Sequence, residues 1–279
     1  MSRAIDLLHL GRDRVICAYE LDGVIVDPGP GSTLETLLNA LDPLEPRAVL
    51  LTHIHLDHAG ATGGLAERFP ELEVYVHERG AAHMADPTAL LKSARRLYGE
   101  DMYELWGETK PVPKEQIHAL SGGERFEGFR VEYTPGHASH HVSYLHEDSG
   151  EAFVGDVAGV RVPPFEHTLA PTPPPDVDVE AWLDSLHTVA DWRPQTLCLT
   201  HFGPVTDVEE QLHRIRTALL DEAELAREGN EEDFVRTLDE RVRAEADEAG
   251  AASYAQAAPL DQLWQGLERY WRKRAEDAA

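Results

Sequence analysis

The sequence has only two cysteines, Cys17 and Cys198, among its 279 residues. Two cysteines are too few for a disulfide framework, which favours a reducing compartment. Long apolar runs are also missing, since no stretch approaches the roughly 18 apolar residues that a membrane helix needs. The first 11 residues are too short and too interrupted for a signal peptide. We therefore expect a soluble, cytoplasmic protein that does not associate with membranes.

Basic residues are scarce as well. Lysine and arginine number 25 against 51 aspartates and glutamates, which gives a formal net charge of −26. Such a surface repels phosphate backbones and anionic lipids, so neither nucleic acid nor a membrane surface is an expected partner. An acidic surface without functional meaning explains the charge equally well. We expect a small-molecule substrate.

Short apolar runs with β character alternate with helical patterns, which predicts an α/β protein. Strands are predicted at 14–20, 23–26, 48–51, 72–77, 129–134, 142–146, 152–154 and 196–200. Residues 81–113 have helical patterning and interrupt this alternation, and helices follow from 205 onward. We predict a domain over residues 1–205 with a helical insertion at about 81–113, and a C-terminal helical extension over residues 206–279 packed on it.

Four of the predicted strands are followed by a side chain that commonly binds metals. These residues are His53, His137, Asp156 and His201. In open α/β sheets ligands gather at the carboxyl ends of strands, so the four loops are expected to share one edge.

The first of these loops is the richest. His53 and His55 alternate with Ile54, so both imidazoles project to the same side of an extended chain. Asp57 and His58 follow at the turn into a helix and point to a second position. Most single histidines are surface or core residues, but four ligand-type residues in six positions predict two neighbouring pockets for zinc, or for iron or manganese.

These motifs resemble those of the metallo-β-lactamase superfamily over most of residues 14–205. His53-Ile54-His55-Leu56-Asp57-His58 matches the HxHxDH signature of that family. Its later motifs follow in the same order at Pro135-Gly136-His137, Gly155-Asp156 and Thr200-His201. The resemblance implies a four-layer αββα sandwich with the metals in a cleft at one edge of the two sheets, a helical insertion and C-terminal helices.

The resemblance also implies which side chains hold which of two divalent metal ions, with zinc expected and iron or manganese as alternatives. It assigns His53, His55 and His137 to the first metal. It assigns Asp57, His58 and His201 to the second, and Asp156 to a bridge between them. Because no cysteine occurs in these motifs, the chain is closer to the glyoxalase II and lactonase-like hydrolases than to the lactamases.

The expected activity is hydrolysis of an ester, thioester or lactone by a metal-bridging hydroxide. Asp57 is the predicted catalytic residue, which orients the nucleophile and carries a proton to the leaving group. One alternative is an iron-dependent redox enzyme of the same fold, similar to persulfide dioxygenases, although the complete second ligand set argues against it. A phosphodiesterase is another, although the acidic charge disfavours it.

Substrate contacts are expected from the insertion and from the loop 165–175 of the proline-rich segment 163–175. The candidates are Tyr98, Tyr103, Trp106 and His167. The alternative for the three aromatic residues is that they pack the insertion onto the sheet. A homodimer stays open, because Trp264 and Trp271 lie in an apolar helical stripe that suits either a core or a dimer contact.

Overall fold

The computed structural model describes residues 1–277 and contains two six-stranded sheets. In both sheets the spatial order of the strands follows the chain. The first sheet consists of β1 (Arg3–Asp6), β2 (Cys17–Leu21), β3 (Val24–Val26), β4 (Ala48–Leu50), β5 (Glu73–His77) and β6 (Ile117–Leu120). The second consists of β7 (Arg125–Phe126), β8 (Phe129–Tyr133), β9 (Val142–His146), β10 (Glu151–Gly155), β11 (Thr196–Leu199) and β12 (Gly203–Val205).

The α-helices surround these sheets. They are α1 (Leu34–Leu41), α2 (Leu56–Ala59), α3 (Thr62–Arg68), α4 (Glu78–Ala85), α5 (Thr88–Tyr98), α6 (Met102–Trp106), α7 (Val179–Asp191), α8 (Val208–Glu228), α9 (Glu231–Glu245), α10 (Glu248–Ala257) and α11 (Leu260–Asp277). None of the helices in residues 1–277 has the length and apolar character needed to cross a membrane.

The central strands β3, β4, β10 and β11 are buried on both faces, and alternate side chains belong to different cores. Tyr19 and Leu50 from the first sheet meet Tyr144 and Phe153 from the second in the core between the sheets. Their neighbours point the other way because side chains alternate along a strand, so Val49 packs under the helices outside the first sheet. The sheets therefore form the two inner layers.

Helices form the two outer layers. Apolar residues of α1, α3 and α4 cover the first sheet, whereas α7 to α11 cover the second. The C-terminal helices share one continuous core with β10 and β11, in which Leu219, Phe234 and Leu267 are fully buried. This arrangement confirms the four-layer αββα sandwich, which also matches solved structures of that fold.

The structure adds four strands that the apolar pattern does not indicate. These are the short strands β1, β6, β7 and β12. The first three carry polar residues such as Arg3, His118 and Arg125, and β12 contains Gly203 and Pro204. Helix α10 is also additional. The predicted insertion is occupied by helices α4 to α6, and the predicted extension by α8 to α11. The boundary at residue 205 stays a prediction, and residues 278–279 of the extension lie outside the described part.

The parallel strand pairs determine the position of the loops that carry the candidate ligand residues. Strands β3 and β4 run parallel in the first sheet, and β10 and β11 run parallel in the second. Hydrogen bonds join the two sheets near these strand ends, from Cys17 N to Thr200 O at 2.8 Å and from Val142 N to Thr52 O at 2.8 Å. The loops that begin with His53 and His201 are therefore held against one another.

Candidate metal centre

The structure brings together all seven residues that the sequence nominates as metal ligands. Their ligand atoms form three overlapping groups, each within 4.8 Å: His53, His55 and His137; His53, His58 and Asp156; and Asp57, His58 and His201. The first and third groups are the two sets that the resemblance assigns to separate metals. Local folding explains the arrangement, since His53 and His55 leave β4 in extended conformation while Asp57 and His58 lie on α2.

Asp156 lies between the two sets. One carboxylate oxygen, Oδ1, is 3.2 Å from His58 Nε2 and 3.6 Å from His201 Nε2. The other oxygen, Oδ2, is 3.3 Å from His137 Nε2. This side chain therefore faces a histidine of the first set with one oxygen and two histidines of the second set with the other.

Hydrogen bonds from the protein fix the orientation of several imidazoles. His137 donates from Nδ1 to the carbonyl of Pro171 at 2.7 Å, and His201 donates from Nδ1 to the carbonyl of Val15 at 2.6 Å. His58 donates from Nδ1 to Asp27 Oδ2 at 2.8 Å. Since the Nδ1 atom of each ring is used in this way, the Nε2 atom is left to point into the centre.

Asp27 supports the centre from behind. Its buried carboxylate accepts hydrogen bonds from Thr52 N at 2.8 Å, Thr52 Oγ1 at 2.7 Å and Thr200 Oγ1 at 2.9 Å, besides the bond from His58. Asp27 follows β3, Thr52 follows β4 and Thr200 follows β11. One side chain thereby ties together three strand ends and one ligand histidine.

Burial and neighbouring charges divide the histidines into two kinds. Burial lowers the pKa of His55 to about 4, and the adjacent His137 adds to this effect. Burial also lowers the pKa of His58, but Asp156, Asp57 and Asp27 outweigh it and raise the pKa well above its ordinary value. The carboxylates thus make the second set a strong attractor of positive charge.

The donor atoms suit metal ions. His53 Nε2, His58 Nε2, His201 Nε2 and Asp156 Oδ1 are buried. Although His58 Nε2 and Asp156 Oδ1 lie 3.2 Å apart, none of the four atoms makes a hydrogen bond of normal geometry within residues 1–277. Buried polar atoms are normally paired, so four such atoms directed at one place indicate a missing partner. Imidazole nitrogens with carboxylate oxygens are donors that zinc, iron and manganese accept. The residues therefore fit two divalent cations.

A cavity of about 570 Å³ opens onto this centre. Its floor includes His55, Asp57 and Asp156, and its walls come from the insertion, the proline-rich segment and the C-terminal helices. The apolar part of the wall includes Leu56, Leu90, Ala94, Leu97, Leu105, Trp106, Pro171, Ala257, Ala258 and Leu263. A volume of this size accommodates a small organic molecule.

The four predicted substrate contacts are divided by the structure. Tyr98 and Trp106 line the cavity. Tyr103 is 78% exposed and is not among the residues that line the cavity, whereas Met102 and Trp106 of the same helix are buried. His167 also lies outside the cavity lining, where its ring packs against Tyr254 and bonds to Glu245. We therefore do not retain Tyr103 and His167 as substrate contacts.

Other cavity residues escape sequence reasoning. His9 stacks on Trp106 at 5.4 Å between ring centroids, and Gln256 donates to the carbonyl of His9 at 2.9 Å. His140 also lines the cavity, and burial lowers the pKa of this histidine to about 3. His140 is set apart from the other histidines in the sequence because it follows His137 closely, whereas no pattern marks His9 or Gln256.

Comparison with known proteins supports the same assignment of the fold. The family model of the metallo-beta-lactamase superfamily matches residues 15–201. The metallo-beta-lactamase fold-containing protein ST1585 of Sulfurisphaera tokodaii is 30% identical over 210 residues, which is 72% of this chain and 77% of the relative. Its crystal structure superposes with a TM-score of 0.71 at 21% identity, covering 96% of this chain and 97% of that chain.

Two further relatives have names that refer to hydrolysis. The probable metallo-hydrolase YqgX of Bacillus subtilis is 34% identical over 170 residues, or 59% of this chain and 72% of the relative. A hydroxyacylglutathione hydrolase of Hamiltonella defensa is 42% identical over 79 residues, or 27% of this chain and 29% of the relative. The second similarity is confined to a short stretch.

Proposed function

Because this chain belongs to the metallo-beta-lactamase superfamily, we propose that it is a binuclear metal-dependent hydrolase that cleaves an ester, a thioester or a lactone. One observation carries the proposal: two complete donor sets share Asp156 at the floor of a largely apolar cavity. The similarity to YqgX and to a hydroxyacylglutathione hydrolase supports a hydrolase, and the nitrogen-rich donor sets support zinc.

Each donor set has a defined part in this proposal. His53, His55 and His137 would hold one cation, and Asp57, His58 and His201 would hold the other, and Asp156 faces both sets. When bound, such cations polarise a carbonyl oxygen and lower the pKa of water towards about 7.

In this proposal Asp57 transfers protons during the reaction. Burial raises the pKa of Asp57, but the neighbouring His58 and His201 lower it by a larger amount. The pKa of Asp57 therefore lies below its ordinary value, and the carboxylate is ionised at neutral pH. The side chain of Asp57 is 21% exposed, against 4% for Asp156, and it borders the cavity. Asp57 therefore lies where it can accept a proton from the attacking water and return it to the leaving group.

The cavity favours a substrate with an uncharged, apolar acyl part. Most of its wall is aliphatic, aromatic or proline, and its carboxylates include Asp57, Asp101, Asp156 and Asp176. Within the described residues, Arg79 is the single lysine or arginine of the lining. An anionic substrate such as a glutathione thioester or a phosphodiester meets repulsion from Asp101 and Asp176, the two lining carboxylates outside the donor sets, whereas a neutral ester, thioester or lactone does not.

A substrate panel tests this proposal. Protein of measured metal content is assayed with p-nitrophenyl esters of increasing chain length, aliphatic lactones, acyl thioesters and a phosphodiester, and oxygen uptake is recorded with a persulfide. We expect hydrolysis of the neutral acyl substrates, a preference for chains longer than acetyl, and no oxygen uptake. Oxygen uptake without hydrolysis, or cleavage of the phosphodiester alone, would overturn the proposal.

A pair of histidine variants provides the matched control. His55→Ala removes a ligand of the first set, whereas His213→Ala removes an exposed imidazole on α8. We expect His55→Ala to lose metal and activity together and His213→Ala to retain both. Equal activity in the two variants would show that hydrolysis does not depend on this metal centre.

A further inference from the structure

Residues 169–172, here called the clamp segment, lie directly behind His137. Leu169 pairs with Val160 through two backbone hydrogen bonds of 3.0 and 3.1 Å. The carbonyl of Pro171 accepts the Nδ1 hydrogen bond from His137 at 2.7 Å. The position of this one carbonyl therefore decides how the His137 ring presents its Nε2 atom to the centre.

Helix α8 holds one side of the clamp segment through a glutamate. Glu222 is buried, and its Oε1 atom accepts a hydrogen bond from Ala170 N at 3.2 Å. Its Oε2 atom has no partner among the residues that the structure describes. A buried carboxyl group with an unsatisfied atom is costly compared with an apolar side chain of the same size. The bond to Ala170 is the contact that gives this glutamate a function.

Helix α11 holds the other side. Thr172 donates from its hydroxyl to the carbonyl of Leu263 at 3.1 Å. The carbonyl of Thr172 lies so close to Gly266 that a β-carbon at that position would be 1.9 Å from it. The residues on both sides of Pro171 are thus fixed by the C-terminal helices, while Pro171 itself has no N–H to donate.

We propose that Glu222 is a positioning residue of the metal centre, which acts through Ala170 and the Pro171 carbonyl to orient His137. This inference rests on the metal-binding part of the proposed function. It gives the C-terminal helices a role in metal affinity in addition to covering the second sheet. Partners of ligand histidines typically contribute about 10- to 100-fold to metal affinity, and Glu222 acts one step further out.

Metal affinity tests the inference directly. Zinc dissociation constants are measured by competition with a chromophoric chelator for the full chain and its variants. We expect Glu222→Leu, which removes the acceptor, to weaken zinc binding at least about fivefold, and Glu222→Gln, which keeps an acceptor oxygen, to stay within about twofold of the wild type. The visible spectrum of the Co²⁺-loaded protein should change in Glu222→Leu and not in Glu222→Gln.

Two further variants distinguish positioning from a general loss of stability. Thr172→Val removes the hydroxyl hydrogen bond from the clamp segment to α11 and should also weaken zinc binding, which keeps the test decisive if Glu222→Leu does not fold. Leu219→Ala opens a cavity in the same core, one turn away on α8, and should leave zinc affinity unchanged.

The outcomes separate this inference from the proposed function. Equal zinc affinity in Glu222→Leu, Thr172→Val and the wild type would overturn the inference alone. An equal loss of affinity in Leu219→Ala and Glu222→Leu would overturn it too, since stability would then explain the effect. Failure of the wild-type protein to bind zinc would overturn the proposed function and this inference together.

Discussion

Replacing Glu222 by glutamine should change how the stability of the protein depends on pH. Burial raises the pKa of this carboxyl group to about 8, against 4.5 for an exposed glutamate, although Ala170 N–H and Arg241 oppose the shift. The folded protein therefore retains a proton that the unfolded chain releases. Stability from this group is complete below pH 4.5 and is lost as the pH rises through about 8.

The size of the effect follows from the two pKa values. Each unit of pKa difference corresponds to about 1.4 kcal/mol, so the free energy of unfolding of the wild type falls by about 5 kcal/mol in total over this range. Glutamine cannot release a proton here. The Glu222→Gln variant should therefore become increasingly stable relative to the wild type from acidic to alkaline pH.

Urea unfolding followed by circular dichroism, at intervals from about pH 5 to pH 9 and at a fixed excess of metal, measures this difference. Glu71→Gln, at an exposed position, is the matched control and should give no such trend. A difference in the free energy of unfolding between Glu222→Gln and wild type that stays constant with pH would refute the reasoning.

Three other changes have definite expected results. Asp27→Asn should weaken metal binding about 10- to 100-fold in a chelator titration, because an amide cannot replace a carboxylate that accepts hydrogen bonds from Thr52, Thr200 and His58. An unchanged metal affinity would contradict this role of Asp27. Gly136→Ala should lower the free energy of unfolding, measured in urea, by about 1–3 kcal/mol, because Gly136 has φ 131° and a β-carbon there would be 2.4 Å from the Trp182 backbone. An unchanged urea midpoint would be inconsistent with that close approach. Ala94→Trp should raise the KM for long-chain esters about tenfold and leave the KM for acetate esters unchanged, because the larger side chain fills space beside the apolar wall of the cavity. Equal effects on both substrates would show that acyl chains bind elsewhere.

The ligand set was accessible from sequence because each ligand follows a recognisable strand. His53, His137, Asp156 and His201 come after four apolar runs, and the carboxyl ends of these strands meet at one edge. The groups that orient these ligands were not accessible. The carbonyls of Val15 and Pro171 belong to the backbone, which carries no side-chain signal.

Substrate contacts were predicted less well for a related reason. The aromatic residues of the insertion do not form one set, because α6 buries Trp106 whereas Tyr103 of the same helix stays exposed. His167 belongs to the segment from which substrate contacts are expected, but its ring contacts Tyr254 from α10. Such contacts depend on how the C-terminal helices pack, and the apolar stripes of those helices do not specify their partners.

The edge strands show the same limit in the fold. Strands β7 and β12 have two and three residues, too few for a period of two to be recognised. They are stabilised by pairing with β8 and β11, which had been predicted. Hairpin pairing with the neighbouring strand, rather than an alternation within the strand itself, therefore determines these strands.

The number of metal ions bound per chain tests the central claim most directly. Equilibrium dialysis against zinc, followed by elemental analysis, should give two ions for the wild type and for His213→Ala. It should give less than one for Asp156→Ala, because Asp156 lies between both donor sets. A wild-type chain that binds no zinc, or an Asp156→Ala chain that still binds two ions, would contradict the account.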